Sequence, residues 1–315
     1  MVTLIIATRN GGTTLPALFD ALTHVLVPPG GWKVILADNG STDDTRDVVK
    51  RYEASLPIAY VFEPRTGQNA ARNRAIEHAE GEVVVFTDDD TIPAADWLLS
   101  LKSTVDAHPE ISLFGGHILP RWEREPPVWI LREVDLGACF SVTDPETPEG
   151  PCDPTYVWSP NMAVRRAVFD QGYRYDESIG PRGRQYAMGS ETEFNTRVAK
   201  DGHRAWFCTT AKVHHLIRAH QLDRRWILER AIRFGRGRYR LQLRDAPYTG
   251  PLLLGMPRFL IRRTAEQYLR LMKVRFLHRD EVFRHHWELN YLLGHLVEAR
   301  EAVRVKGLEN EMPRG

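Results

Sequence analysis

The sequence GEVVVFTDDDT at residues 81–91 joins an apolar run rich in β-branched side chains to three consecutive carboxylates, Asp88, Asp89 and Asp90. Such a run is typical of a buried strand, predicted here over residues 82–87. Three adjacent like charges repel one another, so each makes ionisation of the next less favourable unless a cation lies among them. Carboxylate oxygens suit Mg²⁺ or Mn²⁺, whose coordination is completed by water and ligand phosphates. The stretch therefore indicates a divalent metal site, with an acidic turn that caps the following helix as the alternative.

Three similar apolar runs precede this strand, at residues 2–7, 32–37 and 58–62. Helices are predicted between the runs, over residues 13–26, 41–54 and 70–79. In the first of these helices, Leu18, Leu22 and Leu26 would share one face. The resulting βαβαβαβ order predicts an open α/β sheet that binds its ligands at the carboxyl ends of its strands.

The pattern becomes less regular after residue 93. A helix is predicted over 96–107, strands over 112–119, a helix over 192–200 and a strand over 205–208. A proline-rich stretch of about 40 residues after position 119 has no regular pattern, and such a long irregular segment in a globular chain is usually functional. Long helices are predicted from Leu222, Arg258 and Glu281.

The overall composition excludes several classes of protein. Lys and Arg number 42 against 41 Asp and Glu, so the chain is no polycation and no nucleic-acid partner is expected. Cys139, Cys152 and Cys208 are widely spaced without a C-x-x-C pair, which argues against a disulfide framework and a zinc site. A cytoplasmic location is expected, because the sequence also shows neither a signal-peptide pattern nor an apolar run near the ~18 residues of a membrane helix.

Basic residues are concentrated near the carboxyl end of the chain. Residues 216–280 contain sixteen Lys or Arg against five Asp or Glu. Within 222–240, arginines alternate with apolar residues such as Trp226 and Phe234, and 257–273 has the same character. Basic amphipathic helices suit an anionic membrane surface, which predicts peripheral attachment at the inner membrane face. The alternatives are a solvated helix face and a surface that binds only diphosphate groups.

A second polar segment, ADNGSTDDT at residues 37–45, follows the second predicted strand. The Asp38 carboxylate there could accept a hydrogen bond from a base or a ribose hydroxyl, and the next helix N-terminus offers free N–H groups. The alternative is an Asx turn with a helix cap. The first strand–helix turn, at residues 8–12, lacks the G-x-G-x-x-G pattern of dinucleotide-binding folds, and the sequence has no P-loop.

Four segments taken in order carry a family resemblance: ATRN at 7–10, ADNGSTD at 37–43, GQNAARN at 67–73 and FTDDD at 86–90. Over roughly residues 1–240 the chain resembles a family 2 glycosyltransferase of the GT-A fold. The resemblance implies a Rossmann-like mixed sheet flanked by helices, with a helical C-terminal extension. It also implies inverting transfer of a sugar from a nucleotide-diphosphate sugar to an acceptor hydroxyl.

The same resemblance implies roles for individual residues. Asp38 would lie near the base, Thr8 and Asn10 would line the nucleotide pocket, and Arg72 would contact the donor. Asp88, Asp89 and Asp90 match the D-x-D element, with Asp88 and Asp89 on the nucleotide sugar and Asp88 and Asp90 on Mn²⁺ or Mg²⁺. Arg72 could instead be a solvated helix residue. The implied division is a GT-A domain over 1–220, with a nucleotide-binding half at 1–110 and an acceptor half at 111–220, followed by the extension at 221–315.

The segment GSETEF at residues 189–194 is similar to the later acidic motif of the family. Glu191 stands where that motif has its catalytic aspartate, and we therefore assign Glu191 as the general base. Ser190 and Glu193 also fit the S-x-x-E pattern of a capping box, which would give Glu193 a purely structural role. Glutamate is one methylene longer than aspartate, so both the geometry and the pKa of this base could differ from those of the family.

Two further segments contribute predicted site residues. AKVHH at 211–215 places histidines near a strand end, and the family resemblance favours His215 as a third metal ligand, with His214 left open and an ordinary partly buried histidine as the alternative. WSPNMAVRR at 158–166 resembles a family segment beside the acceptor, which predicts acceptor contacts from Trp158 and Asn161. A tryptophan packed in the core is the alternative reading of Trp158.

Taken together, the sequence predicts a metal-dependent inverting glycosyltransferase of the hexosyltransferase type. A UDP-sugar is the favoured donor, and the acceptor would be a carbohydrate, lipid-linked or small-molecule hydroxyl in polysaccharide, glycolipid or other glycoconjugate synthesis. A nucleotidyltransferase and a non-catalytic nucleotide-sugar-binding protein are the alternatives. The first would use a glycine-rich, lysine-bearing N-terminal loop to hold a triphosphate, and the sequence lacks such a loop.

Overall fold

The computed structural model describes residues 1–183, 186–277 and 282–311, with no account of the side chains at 276–277 and 305–311. The chain forms two compact units. The first contains Met1–Glu123, Leu136–Arg182 and Ser190–Ile217, and the second contains Arg124–Asp135, Gly183–Gly189 and the chain from Arg218 onward. The longest segment of the second unit starts at Arg218, and the unit also contains two short segments from within residues 1–220.

A mixed sheet forms the centre of the first unit. Its strands, within the described residues, are β1 (Val2–Thr8), β2 (Trp32–Asp38), β3 (Ile58–Phe62), β4 (Val83–Asp88), β5 (Thr91–Pro93), β6 (Leu113–Trp122), β7 (Gly150–Cys152), β8 (Met162–Arg165) and β9 (Ala205–Ile217). The spatial order is β3-β2-β1-β4-β8-β6-β9-β5, and β7 pairs with β9. Strands β1 to β4 are parallel neighbours, whereas β8 is antiparallel to both β4 and β6. The predicted α/β sheet is confirmed as a mixed sheet.

Helices of the first unit lie between these strands. They are α1 (Leu15–Leu22), α2 (Thr45–Tyr52), α3 (Gln68–Ile76), α4 (Trp97–Ala107), α6 (Leu136–Phe140), α7 (Arg166–Asp170) and α8 (Ser190–Lys200), while α5 (Val128–Glu133) belongs to the second unit. The prediction that Leu26 shares a helical face with Leu18 and Leu22 is wrong. Helix α1 ends at Leu22, two prolines follow at 28 and 29, and Leu26 is exposed.

Alternation along the strands divides the core of this unit into two clusters. Leu4 and Ile6 of β1 face α1, α2 and α4, whereas Ile5 and Ala7 face α3 and α8. Because successive strand side chains point to opposite faces, a strand buried on both faces must be apolar throughout. This explains why β1, β2 and β4 read as continuous apolar runs in the sequence.

The second unit is built around three long helices, α9 (Arg224–Asp245), α10 (Arg258–Leu277) and α11 (Val282–Glu311), with a hairpin of β10 (Leu252–Leu253) and β11 (Met256–Pro257) between α9 and α10. The predicted start of the last helix at Glu281 lies outside the described residues. Helix α11 packs against both α9 and α10. A Cβ atom on Gly235 would lie 2.1 Å from the carbonyl oxygen of Tyr291, so glycine is required where α9 and α11 cross.

Buried ion pairs and aromatic contacts complete this second unit. Arg236 bonds Glu298 at 3.1 Å and Glu301 at 2.5 Å. The ring centres of Trp129 in α5 and Phe283 in α11 are 4.8 Å apart and the rings are tilted by 57°, a contact that joins the segment around α5 to the C-terminal helices. Across the described part of the chain, none of the helices has both the length and the hydropathy required to cross a bilayer.

Candidate active site

The carboxyl ends of β1, β2 and β4 bring the predicted site residues to one edge of the sheet. In the parallel register, Thr8 lies opposite Asp38 of β2, and Ala7 lies opposite Asp88 of β4. Strand-end side chains from three sequence segments therefore become spatial neighbours. The sequence predicted this edge as the ligand-binding edge, and Thr8, Asp38 and Asp88 all lie there.

Arg72 links two of the predicted acidic residues. Its side chain is only 3% exposed, NH1 donates to Glu191 Oε1 at 2.8 Å, and NH2 donates to Asp88 Oδ1 at 3.2 Å. The reading of Arg72 as a solvated helix residue is therefore wrong. The buried guanidinium bonds both carboxylates and connects the end of β4 to the start of α8.

Glu191 is held in its ionised form. Its Oε1 also accepts a hydrogen bond from the Ser159 hydroxyl. Burial alone would raise the pKa of Glu191, but the Arg72 charge and the Ser159 hydrogen bond outweigh it and lower that pKa below the ordinary value. A carboxylate of this kind is available to accept a proton at neutral pH.

Asp88 has the opposite electrostatic environment. Burial raises its pKa, Arg72 opposes this rise, and the nearby charges of Asp90 and Glu191 add to it. Gln68 Nε2 lies 3.4 Å from Asp88 Oδ1. Together, the carboxylates of Asp88, Asp90 and Glu191 favour the binding of positive charge at this place.

The capping box predicted from Ser190 and Glu193 is not formed. Helix α8 begins at Ser190 itself, so this residue lies in the first turn, and its buried hydroxyl has no hydrogen-bond partner in the described structure. Glu193 is fully buried and instead accepts from Arg197 Nε at 2.9 Å. Glu193 therefore has a structural partner within its own helix, whereas Glu191 faces Arg72 and Ser159.

His215 lies next to Asp90 because β9 is much longer than predicted. The predicted strand ended at residue 208, whereas β9 continues to Ile217. It pairs antiparallel with β5, so that Thr91 lies opposite His215. His215 Nε2 is 3.3 Å from Asp90 Oδ1, and Nδ1 is 2.6 Å from the Phe140 carbonyl oxygen. His214, one residue earlier in the strand, projects to the other face of the sheet.

The charge of Asp90 controls the protonation of His215. Burial opposes the imidazolium, but the attraction of Asp90 outweighs it and raises the pKa of His215 to about 9. The Phe140 carbonyl fixes Nδ1 as the donor and leaves Nε2 directed at the carboxylate. A backbone carbonyl orients metal-binding histidines in the same way.

The donor set is chemically suited to a divalent metal, although its members have protein partners in this conformation. The described residues contain no group of three His, Cys, Asp or Glu side chains converged as a metal centre. Asp88 is turned to Arg72, Asp90 to His215, and Asp89 accepts from the Thr8 hydroxyl. The carboxylates of Asp88 and Asp90 with one oriented imidazole fit Mn²⁺ or Mg²⁺ by ligand type.

Asp38 has two hydrogen-bond donors that hold its carboxylate. Oδ1 accepts from the Ser41 backbone N–H at 2.8 Å, and Oδ2 accepts from the Tyr60 hydroxyl at 2.7 Å. Burial and the bond to Asp38 raise the pKa of Tyr60 to about 12. The Arg46 guanidinium lies 3.8 Å from the centre of the Tyr60 ring. These four residues form a rigid wall at the end of β2.

The loops after β1 and β2 are tied together by Asn10. This residue has a left-handed backbone, with φ of 57°. Its backbone N–H donates to Ser41 Oγ, and its side-chain oxygen accepts from the Thr42 N–H, both at 2.8 Å. Asn10 thus fixes the shape of the loops that flank Asp38, and its side chain is exposed.

The predicted acceptor contact from Asn161 is wrong. Asn161 is fully buried, its Oδ1 accepts from Trp97 Nε1 at 2.8 Å, and its Nδ2 donates to the carbonyl oxygens of His117 and Ala211 at 2.9 Å. This amide joins α4 to β6 and β9 and has no surface for a ligand. Trp158 is half-buried and packs against the core, with Nε1 donating to the Thr155 carbonyl at 2.7 Å.

A comparison with models of protein families identifies the family of this chain. Residues 3–197 match the model described as "Glycosyl transferase family 2". The chain belongs to glycosyl transferase family 2. The resemblance seen in its sequence motifs is confirmed.

Curated relatives of this family 2 chain carry glycosyltransferase or polysaccharide-biosynthesis names. The succinoglycan biosynthesis protein ExoM of Rhizobium meliloti (strain 1021) is 27% identical over 224 residues, which cover 66% of this chain and 64% of ExoM. The glycosyltransferase AglE of Haloferax volcanii is 28% identical over 119 residues, or 37% of this chain and 39% of AglE. The chain thus spans less than two thirds of the length of these relatives.

Solved structures confirm the GT-A-like architecture. TarS 1-349 of S. aureus in complex with UDP-GlcNAc has a TM-score of 0.56 at 15% identity, covering 97% of this chain and 92% of that one. The mannosyltransferase PcManGT of Pyrobaculum calidifontis in complex with GDP-Man and Mn²⁺ has a TM-score of 0.56 at 18% identity, covering 99% and 81%. At these identities the likeness establishes the fold.

Sequence reasoning missed three residues that shape this family 2 site: Ser159, Tyr60 and Gln68. Ser159 lies in the segment WSPNMAVRR, where the family resemblance indicates Trp158 and Asn161 instead. Tyr60 could have been inferred, since β3 is the parallel neighbour of β2 and its side chains alternate. The contact of Gln68 with Asp88 depends on how α3 packs against the sheet, which the sequence pattern alone does not specify.

Proposed function

We propose that this protein is a metal-dependent, inverting glycosyltransferase in which Glu191 is the general base. One observation carries the proposal: the buried Arg72 guanidinium bonds both Glu191 and Asp88, so the residue proposed to remove a proton lies beside the acidic element proposed to hold the donor. The proposed general base and the proposed donor-binding carboxylate thus bond to the same arginine side chain.

In the proposed reaction, Glu191 accepts the proton of an acceptor hydroxyl as that oxygen attacks the anomeric carbon of the donor. The bond from that carbon to the nucleoside diphosphate breaks on the opposite face, so a single displacement inverts the configuration. Arg72 and the Ser159 hydroxyl keep Glu191 ionised before the transfer. They also fix the direction of its carboxylate.

The residues proposed to hold Mn²⁺ or Mg²⁺ are Asp88, Asp90 and His215. A divalent cation there would neutralise the negative charge that grows on the departing diphosphate. His215 must give up its proton to act as a ligand, while its Nδ1 stays bonded to the Phe140 carbonyl. Asp89 and the Thr8 hydroxyl form a second polar pair beside the proposed diphosphate position.

The nucleoside end of the donor is proposed to lie against Asp38. Tyr60 and the Ser41 N–H orient this carboxylate, and Asn10 holds the loops on either side. Solved neighbours that bind UDP-GlcNAc and GDP-Man support a nucleotide-sugar donor, and a UDP-sugar stays the predicted class. The half-buried Trp158 is retained as a proposed acceptor contact, whereas Asn161 is not.

The proposed setting of this reaction is the synthesis of a polysaccharide, glycolipid or other glycoconjugate. ExoM, named for succinoglycan biosynthesis, supports a polysaccharide product. The basic C-terminal helices support a proposed site of action at the anionic inner face of a membrane. The proposed division of labour keeps residues 1–110 for the nucleotide and 111–220 for the acceptor.

The products distinguish this function from its two rivals. The protein with Mn²⁺ is incubated with a panel of UDP- and GDP-sugars and with candidate acceptors, and the released phosphate species are identified. We expect a free nucleoside diphosphate together with a sugar of inverted configuration on the acceptor. A parallel incubation with nucleoside triphosphates and a sugar 1-phosphate tests for a nucleotidyltransferase, which would release pyrophosphate there. Donor binding without any transfer would indicate a non-catalytic module.

A further inference from the structure

The hairpin between α9 and α10 exposes three consecutive leucines. Leu252, Leu253 and Leu254 are 47%, 51% and 79% exposed. A contiguous apolar tip of this kind is unfavourable in water and usually marks a surface that contacts a partner or a membrane. The hairpin is short, with only two residues in each strand, so its tip is a compact projection.

The turn at this tip places a leucine where the backbone disfavours it. Leu254 and Gly255 both have positive φ, at 53° and 75°, as in a type I′ turn. Asn-Gly is the preferred pair in such turns, because asparagine tolerates the left-handed region better than leucine does. Leucine at this position therefore costs backbone energy and exposes an apolar side chain, and folding of the hairpin alone explains neither feature.

Helix α10 continues the exposed apolar surface and adds positive charge. Its inner face is formed by Leu260, Thr264, Gln267 and Leu271, which are buried at helical spacing. Basic side chains are exposed on the remaining faces, at Arg258, Arg262, Arg263, Arg270, Lys273 and Arg275. The exposed apolar side chains among them are Phe259, Tyr268 and Leu269. Glu266 is the acidic residue in the described part of this helix.

The structure also shows why α9 is less suited to the same role. Arg236 and Arg240 of α9 are paired with Glu298, and Phe234 packs against Tyr291 at a ring distance of 5.8 Å. Part of the basic and aromatic content of the 222–240 segment is therefore used inside the second unit. Helix α9 still exposes Arg224, Arg225, Arg238 and Arg244, but none of the large apolar side chains described in this helix is exposed, whereas the hairpin and α10 together expose both kinds.

We propose that the tip Leu252–Leu254 inserts into the interfacial layer of an anionic bilayer while the exposed arginines of α10 contact its phosphate headgroups. Leucines on a rigid turn gain free energy by leaving water, and the flanking positive charges match an anionic surface. This inference deepens the membrane setting proposed above and rests on it. It assigns that contact to the hairpin and α10, and not to the basic segment as a whole.

Leu254→Asn separates membrane insertion from hairpin folding, because the change favours the turn and removes the apolar tip. We expect unchanged or higher thermal stability and weaker binding to vesicles of phosphatidylcholine with phosphatidylglycerol. For Leu253→Ser/Leu254→Asn we expect a loss of about tenfold or more in the partition coefficient. Leu26 of the first unit is 51% exposed, as is Leu253, so Leu26→Ser is the matched control and should leave vesicle binding unchanged.

Charge is tested by Arg263→Glu/Arg270→Glu in a co-sedimentation series at rising salt. This variant should lose binding to the anionic vesicles at low salt, and the wild type should lose it as salt screens the headgroups. The proposal would be overturned if the leucine variants and the arginine variant both bound the vesicles as tightly as the wild type does. Absence of wild-type binding to anionic vesicles at low salt would also overturn it. Nucleoside diphosphate release is measured on the same samples without vesicles, so a wild-type protein that transfers sugar but does not bind the anionic vesicles overturns this inference alone.

Discussion

Arg72 and Glu191 are 119 positions apart in the chain, yet NH1 of the arginine donates to Oε1 of the glutamate at 2.8 Å. The pair joins α3 to the first turn of α8 across the carboxyl edge of the sheet. Arg72 in turn reaches Asp88 at 3.2 Å. The proposed proton acceptor and the D-x-D element are thus linked by one buried cation.

Arg72→Met should shift the pH dependence of transfer. Without the guanidinium the pKa of Glu191 rises, so the acid limb of the kcat/KM profile should move to higher pH. Two partly buried carboxylates also lose their counter-charge, which should lower the free energy of unfolding by about 3 kcal/mol. Arg74→Met, two residues later, removes only an exposed pair with Glu77, so it should leave the acid limb in place and change the free energy of unfolding by no more than about 0.5 kcal/mol. An unmoved acid limb in Arg72→Met would contradict the proposed role of this arginine.

Tyr60→Phe should weaken nucleotide binding with little effect on turnover of bound donor. The change removes the hydroxyl that orients Asp38 Oδ2, and a hydrogen bond to a charged group contributes about 1.5 kcal/mol, or roughly tenfold in Kd. Calorimetry with UDP and GDP measures the effect. Tyr52→Phe is the matched control, since its hydroxyl bonds Asp20 at 2.6 Å. Equal nucleotide affinities in both variants would show that Asp38 does not contact the nucleoside.

Nucleotide binding should require a divalent cation, because an unshielded diphosphate would face the carboxylates of Asp88 and Asp90. Titration of UDP or GDP with Mn²⁺ and with EDTA tests this requirement. Asp90→Asn should reproduce the effect of EDTA, whereas Asp96→Asn, an exposed residue before α4, should behave as wild type. Equal affinity in EDTA would remove the metal from the account.

His295 should make the second unit sensitive to acid. Its burial, with help from the charges of Arg263 and Arg238, lowers its pKa to about 4. In the unfolded chain this histidine binds a proton near pH 6.5, whereas in the folded chain it does so only near pH 4. The free energy of unfolding therefore falls by about 3 kcal/mol for this group as the pH decreases from about 6.5 to about 4. His295→Phe should flatten this part of the stability curve in urea titrations. A curve as steep as that of wild type would contradict the assignment.

Much of the fold could be predicted because β1, β2 and β4 are buried on both faces and are therefore continuously apolar. The position of His215 could not be predicted in the same way, because polar side chains along β9 conceal a strand that continues to Ile217. The burial of Asn161 has a similar origin. Its three partners come from α4, β6 and β9, so a local motif carries no sign of them.

The candidate site shows the same division between local and long-range information. Asp38 and the Asp88–Asp90 element were found because strand ends of a parallel sheet share one edge. The link through Arg72 and Ser159 depends on how α3 and the segment before β8 pack around α8. The sequence offered S-x-x-E as a capping box, but the start of α8 at Ser190 removes the geometry that such a cap requires.

Glu191→Gln tests the central claim most directly. The amide keeps the shape of the side chain and cannot accept the acceptor proton, so sugar transfer should fall by about 10²- to 10⁴-fold while Mn²⁺-dependent donor binding stays nearly unchanged. Glu193→Gln is the control, because Glu193 is bonded to Arg197 and should affect stability more than transfer. The measurement is single-turnover release of nucleoside diphosphate in the presence of acceptor. Full transfer by Glu191→Gln, with donor binding intact, would contradict the account.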